Sequence, residues 1–362
     1  MEAKDLFAKR LKQARQKAGL SMDALSAKTG KEVSKQTISK YEAGKTMAGS
    51  AILIKLSQAL SVPVDYFFRP YTFNISEIEI SFRKKTCVKA KDQTLLKIKI
   101  QDKVERFIEI ETILGNKYSK LEVNVPTHIS LPIQMIILAK EVRRAWGIGI
   151  SPIPSVKNIL MDHSIKVFEI DGPEGFDGIS GYASDDIPLM VINTNIQNTE
   201  RRRFTQMHEL AHLLANASFD KALSNHDKEK LCDAFASEML LPSEVIEKEF
   251  GSKSKISVQE LKKIQKVYGI SIDAIAYSFK RLGIFNENRH RSFCIKKNMD
   301  PKFKAWVETS RYIEPLSTKD YDDEFYEGLV YSAVSQELIS VSKAAQLLNT
   351  SVTEVESKSY AL

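Results

Sequence analysis

Apolar residues recur at helical spacing from the first turns of the chain. Leu6, Phe7, Leu11 and Ala14 line one face of DLFAKRLKQARQKAG, and Gly19 ends the run. Four more short helices are predicted before residue 70. SMDALSAKTG has Ser21 to cap its start and Gly30 its end, and SKQTISKYEAGK has Ser34 and Gly44 in the same places. GSAILIKLSQALSV and VDYFF complete the set. The pattern then changes. SEIEISF alternates Ile78, Ile80 and Phe82 with polar neighbours, the period of a strand. DQTLLKIKIQDKVERFIEIETILG predicts a long helix from Asp92 to Gly115, with Leu96, Ile100, Val104, Phe107 and Leu114 drifting around one face. Its expected use is packing, in a core, between domains or between two copies of the chain.

A new unit opens at SLPIQMIILAKEVRRAWGIG, where Pro132 suits a first helical turn and Gly147 an end. SVKNILMDHSI reads as a second helix. IKVFEID, GISGYA and PLMVIN read as short strands rich in β-branched residues. NTERRRFTQMHELAHLLAN follows as a helix capped by Asn198 or Thr199, with Glu200 at its positive end and an apolar stripe of Phe204, Met207, Leu210, Ala211 and Leu214. SVQELKKIQKVYG begins with a capping box, Ser257 to Glu260, and SIDAIAYSFKRLG has Ser271 as its cap. EFYEGLVYSAVSQELISVSKAAQLLNTSVTEVE closes the chain as a further helical group. The expected fold is multidomain: an all-α unit over residues 1–70, a connector over 71–130, an α+β unit over 131–290 and a helical C-terminal region over 291–362.

Composition narrows the class. At 362 residues the chain exceeds one typical domain. No apolar run reaches the roughly 18 residues of a membrane span, and MEAKDLFAKRLKQARQ lacks the apolar centre of a signal peptide. Cys87, Cys232 and Cys294 are odd in number and far apart, which fits a reducing cytosol. The expectation is a cytoplasmic protein with no membrane partner. Charge is unevenly placed. Residues 1–70 hold 13 Lys and Arg against 6 Asp and Glu, an excess of +7, and the whole chain carries +7, so the other residues balance at 40 against 40. A compact basic unit joined to a neutral body points to nucleic acid.

Short helices, the second and third joined by a tight turn, make a helix-turn-helix. With QTISKYEAGK, residues 1–70 resemble the Xre/Cro-type DNA-binding domain. The resemblance puts Lys35, Gln36 and Lys40 on the outer face of the reading helix. Gln pairs bidentately with adenine, and Lys approaches guanine or phosphate. Thr37 and Lys45 suit phosphate contacts, Ile38 and Tyr41 the core, and Glu42 a pairing with Arg15 of the first helix. One departure is the turn in GKEVSKQ, about two residues longer than usual, which alters the docking angle. The implied partner is a double-stranded DNA operator bound by a homodimer. The alternative is a protein-interaction module on the same scaffold.

RRRFTQMHELAHLLANAS carries the other candidate chemistry. His208 and His212 are four residues apart and project one above the other on a helix. Two imidazoles so placed can share a metal ion, and Glu209, about 100° further round, stands beside it where a base takes a proton from water. With 6 His in the chain, chance supplies on the order of 0.01 such motifs, so a metal site is the favoured reading over two unrelated helix histidines. A catalytic zinc needs a third protein ligand and one open position. The longer motif with a third histidine is excluded, because Ser218 occupies that place. DKEKLCDAFASEMLLP offers Glu229 and Asp233, four apart on one face. Glu229 is assigned as the third ligand and Asp233 as an acceptor that orients a ligand histidine. The reverse assignment stays open. His226 and Cys232 are weaker candidates, the cysteine reading better as a buried helix residue.

RRFTQMHELAHLL and EKLCDAFASEMLLP, in this order and spacing, resemble the ImmA/IrrE metallopeptidase family over residues 131–290. The resemblance implies a zincin-like domain holding zinc, and a regulator whose relatives cleave a repressor protein. Tyr182 and His163 are candidates to stabilise an oxyanion. PLMVIN, just before the motif, is expected to offer a strand edge to an extended peptide substrate. ISVSKAAQLLNTSVTEV has helix-turn-helix rhythm again but no local positive excess, so it reads as a packing or ligand-sensing element. Three functions compete: a DNA-binding regulator with an active zinc endopeptidase, a transcription factor whose zinc domain only senses, and a protease whose first domain binds protein.

Overall fold

The computed structural model describes residues 3–69, 90–115, 123–183, 187–251, 253, 256–309, 312–314, 321–348 and 350–359. The strand expected at SEIEISF, and Cys87, lie outside the described residues. In the first part of the chain come α1 (Ala3–Lys17), α2 (Met22–Lys28), α3 (Lys35–Glu42), α4 (Ser50–Leu60), a 3-10 turn at Val64–Phe68 and the long α5 (Ala90–Ile113). The α+β part runs α6 (Pro132–Ala145), α7 (Val156–Asp162), β1 (Lys166–Ile170), β2 (Gly178–Ala183), β3 (Ile187–Asn193), α8 (Thr199–Ala215), α9 (Asn225–Leu240), α10 (Ser243–Phe250), α11 (Val258–Tyr268), α12 (Ile272–Arg281), α13 (Glu287–Met299) and α14 (Pro301–Glu308). The chain ends in α15 (Tyr321–Ser335), α16 (Val341–Leu348) and α17 (Val352–Ser359). No helix among the described residues is long and apolar enough to cross a membrane.

The described residues form two compact units, and the division cuts the chain at other points than the sequence boundaries. Unit 1 takes residues 3–69, 90–115 and 321–359, and unit 2 takes 123–314. The helix read as a connector therefore belongs to unit 1 together with α15–α17, while α13 and α14 belong to unit 2.

In unit 1, the first helices close around Phe7, Leu11, Leu25, Ile38, Leu56 and Phe67, all inaccessible to solvent. Ser21 and Ser34 accept from Ala24 N and Thr37 N at 3.0 and 3.1 Å, so each caps its helix as the sequence indicates. Gly30 and Gly44 take left-handed conformations after α2 and α3. Helix α5 meets α1 through polar groups. Arg10 pairs with Glu105 at 2.8 Å, Lys17 with Asp102 at 2.6 Å and Arg69 with Glu109 at 2.5 Å. Positions 102, 105 and 109 lie on one helical face, which makes an acidic row for three cations. Gln13 and Gln101 complete the network, bonding Arg10, each other and Glu105. Burial pushes Asp102 up, but Arg106, Lys17 and Arg69 outweigh it and hold the carboxyl below its ordinary range. Further along, Ile110 of α5 packs with Val330, Ala333, Ala344, Leu347 and Val355 of the last three helices.

Unit 2 is a three-stranded sheet packed by helices. The strand order is β1-β3-β2, with β1 parallel and β2 antiparallel to β3. Every residue of β3 is buried, as a central strand requires. This corrects the expectation that PLMVIN offers an edge: β3 is paired on both sides, and among the described residues the edge strands are β1 and β2. Gly178 opens β2 where an added Cβ would meet Thr205 Cγ2 at 3.0 Å and Ile192 Cδ1 at 3.1 Å, so glycine lets β2 lie close under α8.

Two buried arginines tie the helices to their loops. Arg143 of α6 donates to the carbonyls of Gly149, Ser151 and Met239, the last at the end of α9. Burial pulls its guanidinium down to about 10. Arg203 of α8 donates to Ile153, Pro154 and Gly269, pairs with Glu314 at 3.3 Å and lies 4.4 Å from the Tyr312 ring centre. Gly269 ends α11 at φ +61, and a Cβ there would lie 2.5 Å from Arg203 Nε. The Ser257–Glu260 capping box forms in both directions. Helix α13 has no buried residue, which is why no apolar stripe announced it.

Candidate metal centre

The centre lies between α8 and α9. Asn198 caps α8, accepting from Arg201 N at 2.8 Å. One face of the helix then enters the core through Met207, Leu210 and Ala211, all at 0% exposure. That packing carries His208 and Glu209 inside with it, each 7% exposed. Their burial is polar and costly unless the groups find partners, and the partners come from α9 and β2.

Both imidazoles turn toward Glu229. Its Oε2 lies 3.4 Å from His208 Nε2 and its Oε1 lies 3.7 Å from His212 Nε2. The rings are 5.1 Å apart, centre to centre. Asp233 Oδ1 sits 2.6 Å from His208 Nδ1, on the far side of the same ring. A carboxylate there fixes the proton on Nδ1 and leaves the Nε2 lone pair facing Glu229. Phe219 stands edge-on to His212 at 6.3 Å. It is held by a parallel bridge in which Ile129 N donates to Ser218 O at 2.8 Å and Asp220 N to Ile129 O at 2.9 Å.

Glu209 points to the sheet. Ser180 Oγ of β2 lies 2.8 Å from Glu209 O and 3.0 Å from Glu209 Oε2, so the strand sets the carboxylate's orientation. Two residues on, Tyr182 donates its hydroxyl to Leu213 O at 3.2 Å, and burial raises its pKa. Tyr182 is thus beside the motif helix. His163 is elsewhere: its ring stacks on Trp146 at 4.3 Å and 9°, and burial lowers its pKa. His226 is exposed in the first turn of α9.

The donor set fits a zinc ion. Two ligand atoms of one tetrahedral zinc lie roughly 3.3 Å apart, close to the two carboxylate–imidazole separations. The donors are imidazole nitrogen and carboxylate oxygen, and the Nδ1 partner is the kind that metal-binding histidines carry. A sulfur also reaches the centre: Cys232 Sγ and a ring nitrogen from each histidine all lie within 4.8 Å of one another. Ser180 and the two arginines were not foreseen. A lone serine in GISGYA carries no spacing signal, and RRR in front of the motif does not show which arginine turns inward.

On the helix-turn-helix, Lys35, Gln36, Lys40 and Lys45 are exposed and Thr37 is half-buried. Lys35 pairs with Asp23 at 2.7 Å on the surface. Ile38 and Tyr41 are in the core. Glu42 holds Arg15 in a bidentate pair at 2.5 and 2.7 Å, locking α3 to α1. Residues 29–34 link α2 to α3, and Lys31 takes a left-handed conformation at φ 62 to make the longer turn.

A helix-turn-helix family model matches residues 11–67, and a model described as an IrrE N-terminal-like domain, a peptidase family, matches residues 160–280. A comparison with curated proteins returns no match. The first segment spans the capped helices α2 and α3. The second spans the sheet, both histidines and Glu229. The chain is a fusion of an Xre-type helix-turn-helix domain with an ImmA/IrrE-like domain, the architecture of a DNA-binding regulator that carries a protease-like domain.

Proposed function

We propose that this protein is a transcriptional regulator whose second domain is a zinc-dependent endopeptidase acting on a protein partner, a repressor being the favoured substrate. The observation that carries the reading is the convergence of His208 Nε2, His212 Nε2 and the Glu229 carboxylate, with Glu209, the residue after His208, hydrogen-bonded by Ser180. His208, His212 and Glu229 hold the metal, and Asp233 orients His208. Zinc bound there supplies Lewis-acid activation of water and of a peptide carbonyl. Glu209 takes the proton from the attacking water and delivers it to the leaving amine. Tyr182, on the strand that reaches α8, is the residue placed to donate to the developing oxyanion after leaving Leu213 O. An extended substrate pairs with the outer edge of β2, which brings its backbone to the strand that bears Ser180 and Tyr182.

The first domain places Gln36 and Lys40 against base edges of a duplex operator and Lys35, Thr37 and Lys45 against phosphates, with two copies on paired half-sites. The test is Glu209→Gln. Cleavage of the partner should fall by about 10²-fold or more, while metal content and duplex binding stay as in the parent. Repression and induction that survive the substitution unchanged would overturn the catalytic reading in favour of a zinc domain that only senses.

A further inference from the structure

Three residues of α9 share the face turned to α8: Glu229, Cys232 and Asp233, at i, i+3 and i+4. Glu229 reaches both Nε2 atoms, and Asp233 reaches Nδ1 of His208. Cys232 lies between them in sequence, with no solvent exposure, and its sulfur falls within the same 4.8 Å cluster of donor atoms as the two imidazoles. Its neighbours Leu231 and Phe235 also pack into the apolar core of unit 2. Packing alone accounts for a small buried side chain here; the further observation is that its sulfur lies within 4.8 Å of a ring nitrogen of each histidine.

We infer that Cys232 is a donor to the same metal ion, so that the resting centre has four protein ligands: two imidazoles, one carboxylate and one thiolate. This rests on the metal reading above and adds its regulation. Zinc accepts nitrogen, oxygen and sulfur together, and a cluster bounded at 4.8 Å needs to tighten by no more than a side-chain adjustment to reach the roughly 3.5 Å sulfur–nitrogen separation of such a site. A soft donor also narrows the choice of metal, favouring zinc or cobalt over magnesium or calcium. Binding replaces the S–H bond by a sulfur–metal bond and releases one proton to solvent. Four protein ligands close a centre, whereas three leave a position for water. The peptidase is then latent as folded, and hydrolysis begins only when the Cys232 sulfur gives up its place. The thiolate is an internal competitor of the nucleophilic water.

Cobalt in place of zinc reads this directly, because a thiolate bound to cobalt adds a sulfur-to-metal charge-transfer band in the near ultraviolet. The full-length chain, loaded with cobalt alone, should bind one ion and show the band. Cys232→Ala should bind cobalt and lose the band, and Cys232→Ser, nearly isosteric, should do the same if packing is a concern. Glu229→Gln should keep it. The same Cys232→Ala protein should cleave faster than the parent. Cobalt bound by the parent without the band, or a band that persists in both cysteine variants, overturns the inference and leaves the three-ligand reading standing. Failure of the parent to bind cobalt at all overturns the metal reading itself, and this inference with it.

Discussion

Along α5, Glu105, Asp102 and Glu109 face Arg10 and Lys17 of α1 and Arg69 beyond the 3-10 turn, with Arg106 and Lys343 adding to the pairs at Asp102 and Glu109. Between α8 and α9, two imidazole Nε2 atoms instead face the two oxygens of one carboxylate, Glu229. Both regions bury polar groups, yet the groups are arranged for opposite ends. In the first, every charge is satisfied by its opposite, so the row orients two helices and asks for nothing more. In the second, two imidazoles share one carboxylate, a set of ligand types that the proposed metal ion would satisfy together. The scaffold holds them there from outside: Asp233 behind His208, Ser180 behind Glu209, and Arg143 on the last turn of α9. Burial of charge alone does not mark a functional site. Convergence of metal-ligand types is what the proposed site rests on.

The largest effect expected from this contrast is on unit 1. Arg10→Met alone strands a buried Glu105 and should cost about 3–5 kcal/mol, whereas Arg10→Met with Glu105→Met should be close to neutral or stabilising. Urea unfolding of both variants measures this, and equal losses would mean the row is more than a matched pair. Next, Asp233→Asn should weaken metal binding by about 10–100-fold, read by competition with a chelator. An unchanged affinity would detach Asp233 from the centre. Ser180→Ala should leave metal content intact and slow cleavage by about tenfold, the loss of one hydrogen bond to a charged group. The smallest effect is a pH dependence. Asp102 has a folded pKa below its ordinary 3.8, so its stabilising contribution is complete above 3.8 and is lost as pH falls through the lower folded value. Asp102→Asn should flatten that acid limb of the unit 1 unfolding curve, and an unaltered limb would show that Arg106 and Lys17 do not hold the carboxylate.

Much of the candidate site's geometry was legible in the chain before any coordinates. His208 and His212 at four-residue spacing, and Glu229 with Asp233 at the same spacing, each describe one face of one helix, and helix periodicity is a local property. The caps Ser21 and Ser34 and the pairing of Arg15 with Glu42 were legible for a similar reason, the last through a resemblance. What escaped reading depends on contacts between distant segments. Ser180 matters because β2 passes under α8, and β3 is central because β1 and β2 flank it. Neither fact is written in the strand sequences. Cys232 looked like an apolar helix residue because its burial is real, and its closeness to the two imidazoles is visible only when α8 is set opposite.

The amino-acid order by itself determined which helices form, where they are capped, which residue types share a face and where the excess positive charge lies. Those depend on neighbours a few residues apart and on side-chain chemistry. The tertiary structure decided which faces meet: that α5 and the last three helices complete unit 1, that β2 reaches Glu209, that Glu229 faces both histidines, and that the Cys232 sulfur comes within 4.8 Å of a ring nitrogen of each. Such meetings follow from packing of long-range segments, where one alternation or one helical stripe is compatible with many partners until the whole core closes.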